Sequence, residues 1–346
     1  MPATLDDALE ILAQSGPEFG GGLSNHGPMA AEALVRLGRP EEVVGWTESY
    51  RRRLLERPQA RDHIVPTEWR EALGDITRVE DWSVFFRRQL DAASWPDVLA
   101  RWVPRLAPGL VAAATHGVIR TAHAVRSLED EATPLRLREL AEGLAYWAAR
   151  YQTLPGTPSP AGDLPPSEAL QRVALLPEEQ RGNDGLITEG LDRLHGFPPF
   201  EAGVNAVAAP GDADGFLSQL TETFAHAYLA NAAGGRVIAF IHGVTGPATL
   251  RIIAPYLDPA ARTAALVYAW QAGAAIYSAY GQTPRIGVED DVVVDIEDLV
   301  DRSVATGDEH AIKFTEACLR EHRLNPATVF LAAAADATRR IEAWGR

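Results

Sequence analysis

Residues 135–151 read LRLRELAEGLAYWAARY. Leu140, Leu144 and Trp147 recur at the i, i+4, i+7 spacing that places side chains on one face of an α-helix. Working outward, the same signature returns along most of the chain. Pro28 opens a helix that would bury Met29, Ala33, Leu34 and Leu37 and end near Gly38. Pro40 begins the next, with Val43, Val44, Trp46 and Tyr50. Helical patterns follow at Trp82–Ala93, Trp95–Leu106 and Leu110–Leu128. Downstream they cover Phe216–Ala233, Gly246–Tyr256, Pro259–Tyr280 and Asp308–His322, and a last one runs from Pro326 to the end.

Between the two halves lies Thr153–Pro166, with Pro155, Pro158, Pro160, Pro165 and Pro166. Proline at that density forbids a helix and marks a connector. Arg236–Ile241 and Val292–Ile296 are rich in branched residues and could be strands. The expectation is an all-α fold with at most a very small sheet. It is a single large helical domain or two fused lobes, 1–152 and 167–346, joined by the connector 153–166.

The chain has 346 residues, of which 46% are hydrophobic and 23% charged, enough for a sizeable core. Its net charge of −15 repels phosphate backbones and anionic lipid, which argues against nucleic-acid and membrane partners. Met1–Gln14 carries Asp6, Asp7 and Glu10 and no basic residue, unlike a secretory signal. The apolar stretches Leu106–Thr115 and Val237–Val244 look too short to span a bilayer. Cys318 is the only cysteine, so no internal disulfide forms and a cytoplasmic setting is expected.

Lysine plus arginine number 32, yet Lys313 is the only lysine, leaving 31 arginines. An amine can lose its proton and act as a nucleophile, whereas a guanidinium effectively cannot. Lys313 stands in Gly307-Asp308-Glu309-His310-Ala311-Ile312-Lys313. Asp308 is a plausible N-cap, and the i, i+3 spacing puts His310 and Lys313 on one helical face. Carbon dioxide can convert a neutral lysine amine to a carbamate, which offers anionic oxygen donors. The pair could then act as an imidazole and a carboxylate, a combination suited to non-haem iron. The bland alternative is a solvent-facing pair on an acidic helix.

Nine histidines are available. His26, His116 and His242 are each followed by glycine and set in apolar sequence, where an imidazole needs a partner. Glycine at that position would let neighbouring groups approach closely. His123 shares a helical face with His116 and is a rival ligand; His226 is another. His63, His195 and His322 sit among turn or charged residues and read as exposed. No glycine fingerprint follows a convincing strand: Gly20-Gly21-Gly22 and Gly234-Gly235 lack the spacing. A phosphate loop, paired cysteines and a strained serine elbow are also missing from the sequence. Cys318 reads as core.

With these residues in hand, the chain resembles the questin oxidase-like family. The matching motifs are Asn25-His26-Gly27-Pro28-Met29-Ala30, His116-Gly117-Val118-Ile119-Arg120, His242-Gly243-Val244-Thr245 and Asp308-Glu309-His310-Ala311-Ile312-Lys313. Fungal members open the ring of anthraquinones; they are described as Baeyer–Villiger-type oxidases or as iron-dependent dioxygenases. The resemblance implies a non-haem Fe(II) centre held by His26, His116, His242 and His310, with Lys313 as a carbamate derived from CO2. It implies an oxygenase acting with O2 on an aromatic polyketide or quinone-like substrate, by oxidative carbon–carbon cleavage. NADPH as a reductant, a metal-dependent hydrolase and a homo-oligomer stay open. The metal site is expected to be shared between the lobes. Trp46, Trp82, Phe85, Trp147 and Trp270 are candidates to line its pocket, though all could be ordinary core.

Overall fold

The computed structural model describes residues 5–181, 185–233, 236–282 and 294–344. It is 69% helical. Among the described residues the sheet is a single two-stranded hairpin, β1 (Glu18–Phe19) and β2 (Leu23–Ser24), which pair antiparallel. It lies where no strand was expected, over a Gly20-Gly21-Gly22 turn in which all three φ angles are positive. The chain divides into two compact units, Met1–Thr153 with Ile252–Ala261, and Leu154–Arg251 with Arg262–Arg346.

The first unit contains α1 (Leu5–Leu12), α2 (Gly27–Arg36), α3 (Val43–Arg51), α4 (Val79–Ala92), α5 (Trp95–Leu106), α6 (His116–Asp130) and α7 (Pro134–Ala149). Local chemistry sets several starts. Ser94 caps α5 by accepting from the Asp97 N–H, and Thr133 caps α7 with Pro134 as its first residue. Helix α7 packs on both α4 and α6. A β-carbon on Gly143 would lie 2.9 Å from the Thr121 backbone nitrogen, so glycine is what lets α6 and α7 come this close. Beside α4, the rings of Trp69, Trp82, Phe85, Phe86 and Trp102 interlock, mostly edge to face at 5.0–6.1 Å. Trp82 and Phe85 therefore belong to a packed aromatic core.

The second unit begins with irregular chain up to Pro166, tied by parallel bridges from Gly162 to Ala208 and from Leu164 to Val207. Short helices α8 (Pro166–Leu170), α9 (Ile187–Asp192) and α10 (Pro199–Val204) follow. Then come α11 (Ala213–Asn231), α12 (Val237–Ala248), α13 (Leu250–Ile253, whose last two residues count with the first unit), α14 (Pro259–Tyr280, of which Arg262 onward belongs here), α15 (Ile296–Ala305), α16 (Glu309–Leu324) and α17 (Thr328–Trp344). Its core joins α11, α12, α16 and α17, with Tyr228 of α11 against Phe314 of α16 at 5.1 Å. Trp270 of α14 is fully buried beside Phe224 and gives its indole N–H to the Val204 carbonyl. Cys318 and Met29 are both fully buried.

Several expectations change. Arg236–Ile241 is not a strand: Val237 onward is α12, whose residues are buried almost without exception. A short branched run cannot be told from a buried helix by pattern alone. Of Val292–Ile296, Val292 and Val293 lie outside the described residues, while Val294 is irregular, Asp295 caps α15 and Ile296 opens it. No continuous helix covers Leu110–Leu128. Ala113, Ala114 and Thr115 take φ of 49°, 54° and 72°, a left-handed turn that delays α6 to His116. The run Gly246–Tyr256 is broken into the end of α12, α13 and a 3₁₀ turn. The apolar helical run there is also longer than the sequence suggests. Val237–Tyr256 spans 20 residues with a mean hydropathy of 1.5, long and apolar enough to cross a membrane. Its window is 89% buried within the protein, however, and a core helix passes the same test.

Candidate metal centre

Two sets of nitrogen donors are built, one in each unit. In the first unit, His26 ends the hairpin segment as the N-cap of α2, and its backbone N–H donates to the Tyr50 hydroxyl at 2.8 Å. His116 is the first residue of α6. The two imidazoles stack at 4.5 Å, and their Nε2 atoms approach to 2.5 Å. Both residues are buried, 4% and 6% exposed.

The tautomer of His116 follows from its neighbour. Its Nδ1 lies 2.5 Å from the Ala113 carbonyl oxygen. A carbonyl can only accept, so Nδ1 carries the proton and Nε2 of the neutral ring is a lone pair. Without a cation, His26 must donate its own Nε2–H into that lone pair. With a cation, both rings offer lone pairs to it. The left-handed turn is what brings the Ala113 carbonyl round to the ring.

The second unit repeats the pattern on regular helices. His242, on α12, gives Nδ1–H to the Ile238 carbonyl one turn earlier at 2.7 Å. His310, in the first turn of α16, has Nδ1 3.3 Å from the Asp308 carboxylate. Asp308 also accepts the His310 backbone N–H at 2.7 Å, so it caps the helix as the sequence suggests. The His242 and His310 rings meet edge to face at 5.9 Å. Three of the four proposed imidazoles thus have Nδ1 against an acceptor, which is how metal-binding histidines are held and aimed through Nε2.

Burial, followed by the charges of His310 and Lys313, pushes His242 well below the usual histidine range and keeps it neutral. Lys313 is not a solvent-facing residue of an acidic helix; it is 4% exposed. Burial, opposed by the Glu309 and Asp308 carboxylates, lowers its amine from 10.5 to about 8. A substantial fraction of the amine is therefore unprotonated in mildly alkaline solution, the form that can attack carbon dioxide.

The rival histidines are placed differently. His123 gives Nδ1–H to Glu32 at 2.7 Å, within a buried cluster that also joins Arg126 and Arg36 to that carboxylate. Burial alone would raise the Glu32 carboxyl, but Arg126 and His123 outweigh it and hold the group far below its ordinary range. His226 is half-buried on α11. His63 and His195 are exposed as expected, whereas His322 is half-buried and donates to the Ala327 carbonyl at 2.9 Å. The glycines after the three histidines do not share one purpose. A β-carbon on Gly27 would lie 2.7 Å from a Leu12 methyl, and one on Gly117 would lie 2.7 Å from Trp147 Cα, but Gly243 has ordinary room. The first two serve helix packing. Trp147 is engaged in that packing and in a hydrogen bond to the Gly109 carbonyl, so it is core. Trp46 stacks on Tyr50, which also meets Phe19, carries the Arg53 guanidinium over its ring at 4.3 Å and accepts the His26 backbone N–H.

Compared with known proteins, the profile of the questin oxidase-like family matches residues 23–318. The chain belongs to the questin oxidase-like family. A search of curated proteins finds no match. The family's name is that of an oxidase, so this questin oxidase-like protein is an oxidoreductase. The match takes in both donor sets, from before His26 to beyond Lys313. Sequence reasoning missed the Ala113 carbonyl and the Glu32 cluster. Neither carries a local signal: the turn contains no glycine, and Glu32 meets His123 and Arg126 across some ninety positions.

Proposed function

We propose that the two donor sets act together as one non-haem iron site, with His26, His116, His242 and His310 as nitrogen ligands and Lys313 as a carbamate. The enzyme would oxidise an aromatic polyketide or quinone-like substrate with dioxygen and cleave a carbon–carbon bond. The observation that carries the reading is the shared Nδ1 arrangement: Ala113, Ile238 and Asp308 each hold one imidazole so that Nε2 is its lone pair. The donor set fits a divalent metal, being neutral imidazoles plus one anionic oxygen group. It would also accept metals other than iron, and the choice of iron rests on the resemblance to iron-dependent members.

A bound iron would supply the redox chemistry that activates dioxygen. The chain's own residues do the rest. Burial holds His242 in its neutral form at physiological pH. The Lys313 nitrogen attacks carbon dioxide, a nitrogen–carbon bond forms, and one proton leaves to solvent; the product is an anionic carbamate. Asp308 fixes the start of α16 and the His310 ring together.

Metal content by mass spectrometry tests the reading, on protein purified without chelator and with bicarbonate, beside Lys313→Ala and His310→Ala. About one iron per chain is expected in the wild type, lost in both variants. Oxygen uptake with an anthraquinone substrate should then stop in the variants. A metal-free wild type, or turnover that persists without oxygen, would sink the proposal.

A further inference from the structure

Charge inside the first unit is not evenly balanced. A cavity of about 20 Å³ lies between α1, α6 and α7, with Leu9, Leu12 and Leu135 as its apolar walls. Its polar lining sets three guanidinium groups, Arg57, Arg120 and Arg138, against two carboxylates, Glu139 and Glu142. Both carboxylates are already engaged. The Glu139 oxygens each accept from Arg120, one from Nε at 2.6 Å and one from Nη2 at 2.9 Å. Glu142 accepts from Ser83 at 2.6 Å and pairs with Arg57, which also meets Glu80 at 2.7 Å. Arg138 is the cation left over. Among the described residues its guanidinium has no carboxylate partner and donates only to the Ala13 carbonyl, at 2.7 Å.

Arg120 supplies a second spare donor. The residue is 6% exposed, and Glu139 takes up its Nε and Nη2. Its Nη1 makes no hydrogen bond among the described residues, yet it is not one of their sealed polar atoms. What this nitrogen opens onto is the cavity that Arg120 lines. A water there would satisfy donors without balancing the charge, and low-dielectric surroundings make the imbalance count for more. Size narrows the choice of ligand. Since one water needs roughly 10–15 Å³, the space takes a single particle slightly larger than water and rejects sulfate, phosphate and organic acids. We propose that this cavity binds one monatomic anion of chloride size, held by Arg120 Nη1 and Arg138. Ser15 and Asn25 also line it and can each add a neutral donor. The ion would join α6 and α7 to the end of α1, which Arg138 already reaches through Ala13. The site lies wholly in the first unit and does not depend on the metal reading.

The test uses full-length protein treated with chelator, so that no halide response can arise at a metal. Replacing gluconate by chloride up to about 0.15 M at constant ionic strength should broaden the chloride NMR line and raise the thermal midpoint by about 2–5 °C. Arg138→Gln removes the unbalanced charge and should weaken chloride binding at least about tenfold, whereas Arg138→Lys keeps the charge and should lose less. Arg339→Gln, at an exposed guanidinium in the second unit, should behave as wild type. A wild type with no excess line broadening would mean that water fills the cavity, and overturns the proposal. Equal midpoints in chloride and gluconate overturn it too, as does chloride binding that survives Arg138→Gln unchanged. If Arg138→Gln does not fold, bromide-soaked crystals of the wild type decide: anomalous density beside Arg120 and Arg138 supports the site, and its absence refutes it.

Discussion

The two units solve one problem, holding imidazoles with Nε2 outward, by different means. In the first unit the device is backbone conformation: three consecutive non-glycine residues at positive φ swing a carbonyl onto His116, and a hairpin delivers His26. In the second unit the device is the regular helix: a carbonyl one turn back orients His242, and an N-cap carboxylate orients His310. The first unit thus fixes its pair by backbone strain and buried charge. The second contains an amine whose charge changes near pH 8. The first unit offers a template set by backbone and buried charge, and the second an amine that burial makes easier to deprotonate.

The largest effect that could break this contrast is expected at Glu32. Its carboxylate holds Arg126, Arg36 and His123, and so ties α2 and α6, the helices that carry His26 and His116. Glu32→Ala would take away the carboxylate that Arg126 and His123 share in a buried cluster, which costs about 3–5 kcal/mol in denaturant unfolding. A loss below about 1 kcal/mol would show that the template does not depend on buried charge.

A smaller effect sharpens the other half. Between about pH 8 and 10.5, Lys313 has lost its proton in the folded protein but keeps it when unfolded. The unfolded chain then binds more protons, so stability of the metal-free protein rises with pH across this window, by up to about 3 kcal/mol. Below pH 8 that contribution is absent, because the buried amine must be charged. Lys313→Met should flatten the rise and stabilise the protein at neutral pH. A parallel pH curve in wild type and variant would show that the amine is not desolvated. The smallest contrast lies in the glycines. Gly117→Ala drives a methyl into Trp147 and should cost about 1–3 kcal/mol. Gly243→Ala meets only Phe224 at 4.0 Å and should be neutral or stabilise its helix by up to about 1 kcal/mol. Equal costs at the two positions would erase the distinction.

Much of the fold can be read from the chain because helices are local objects. The pattern Leu140–Leu144–Trp147, the prolines that open helices and the Asp308 cap each state their meaning within one or two turns. Where reading fails, the cause is equally physical. A left-handed turn written in alanine and threonine has no compositional mark, so α6 starts later than its apolar pattern. A buried helix rich in branched residues imitates a strand, as at Arg236–Ile241. Among the candidate ligands, the burial of His26, His116 and His242 follows from their apolar sequence settings. The acceptors behind the rings and the Glu32 cluster depend on long-range packing, which no local pattern encodes.

The burial of Cys318 has a consequence for durability. Thiolate is the form that peroxide attacks, and the packing around this sulfur raises its pKa well above normal, Glu321 and Glu316 adding to the effect. Met29 is sealed as well. An oxidase that leaks reactive oxygen during turnover would ordinarily damage its own sulfur first; this one keeps that sulfur out of reach, so its working lifetime in air should be insensitive to added thiol reductant.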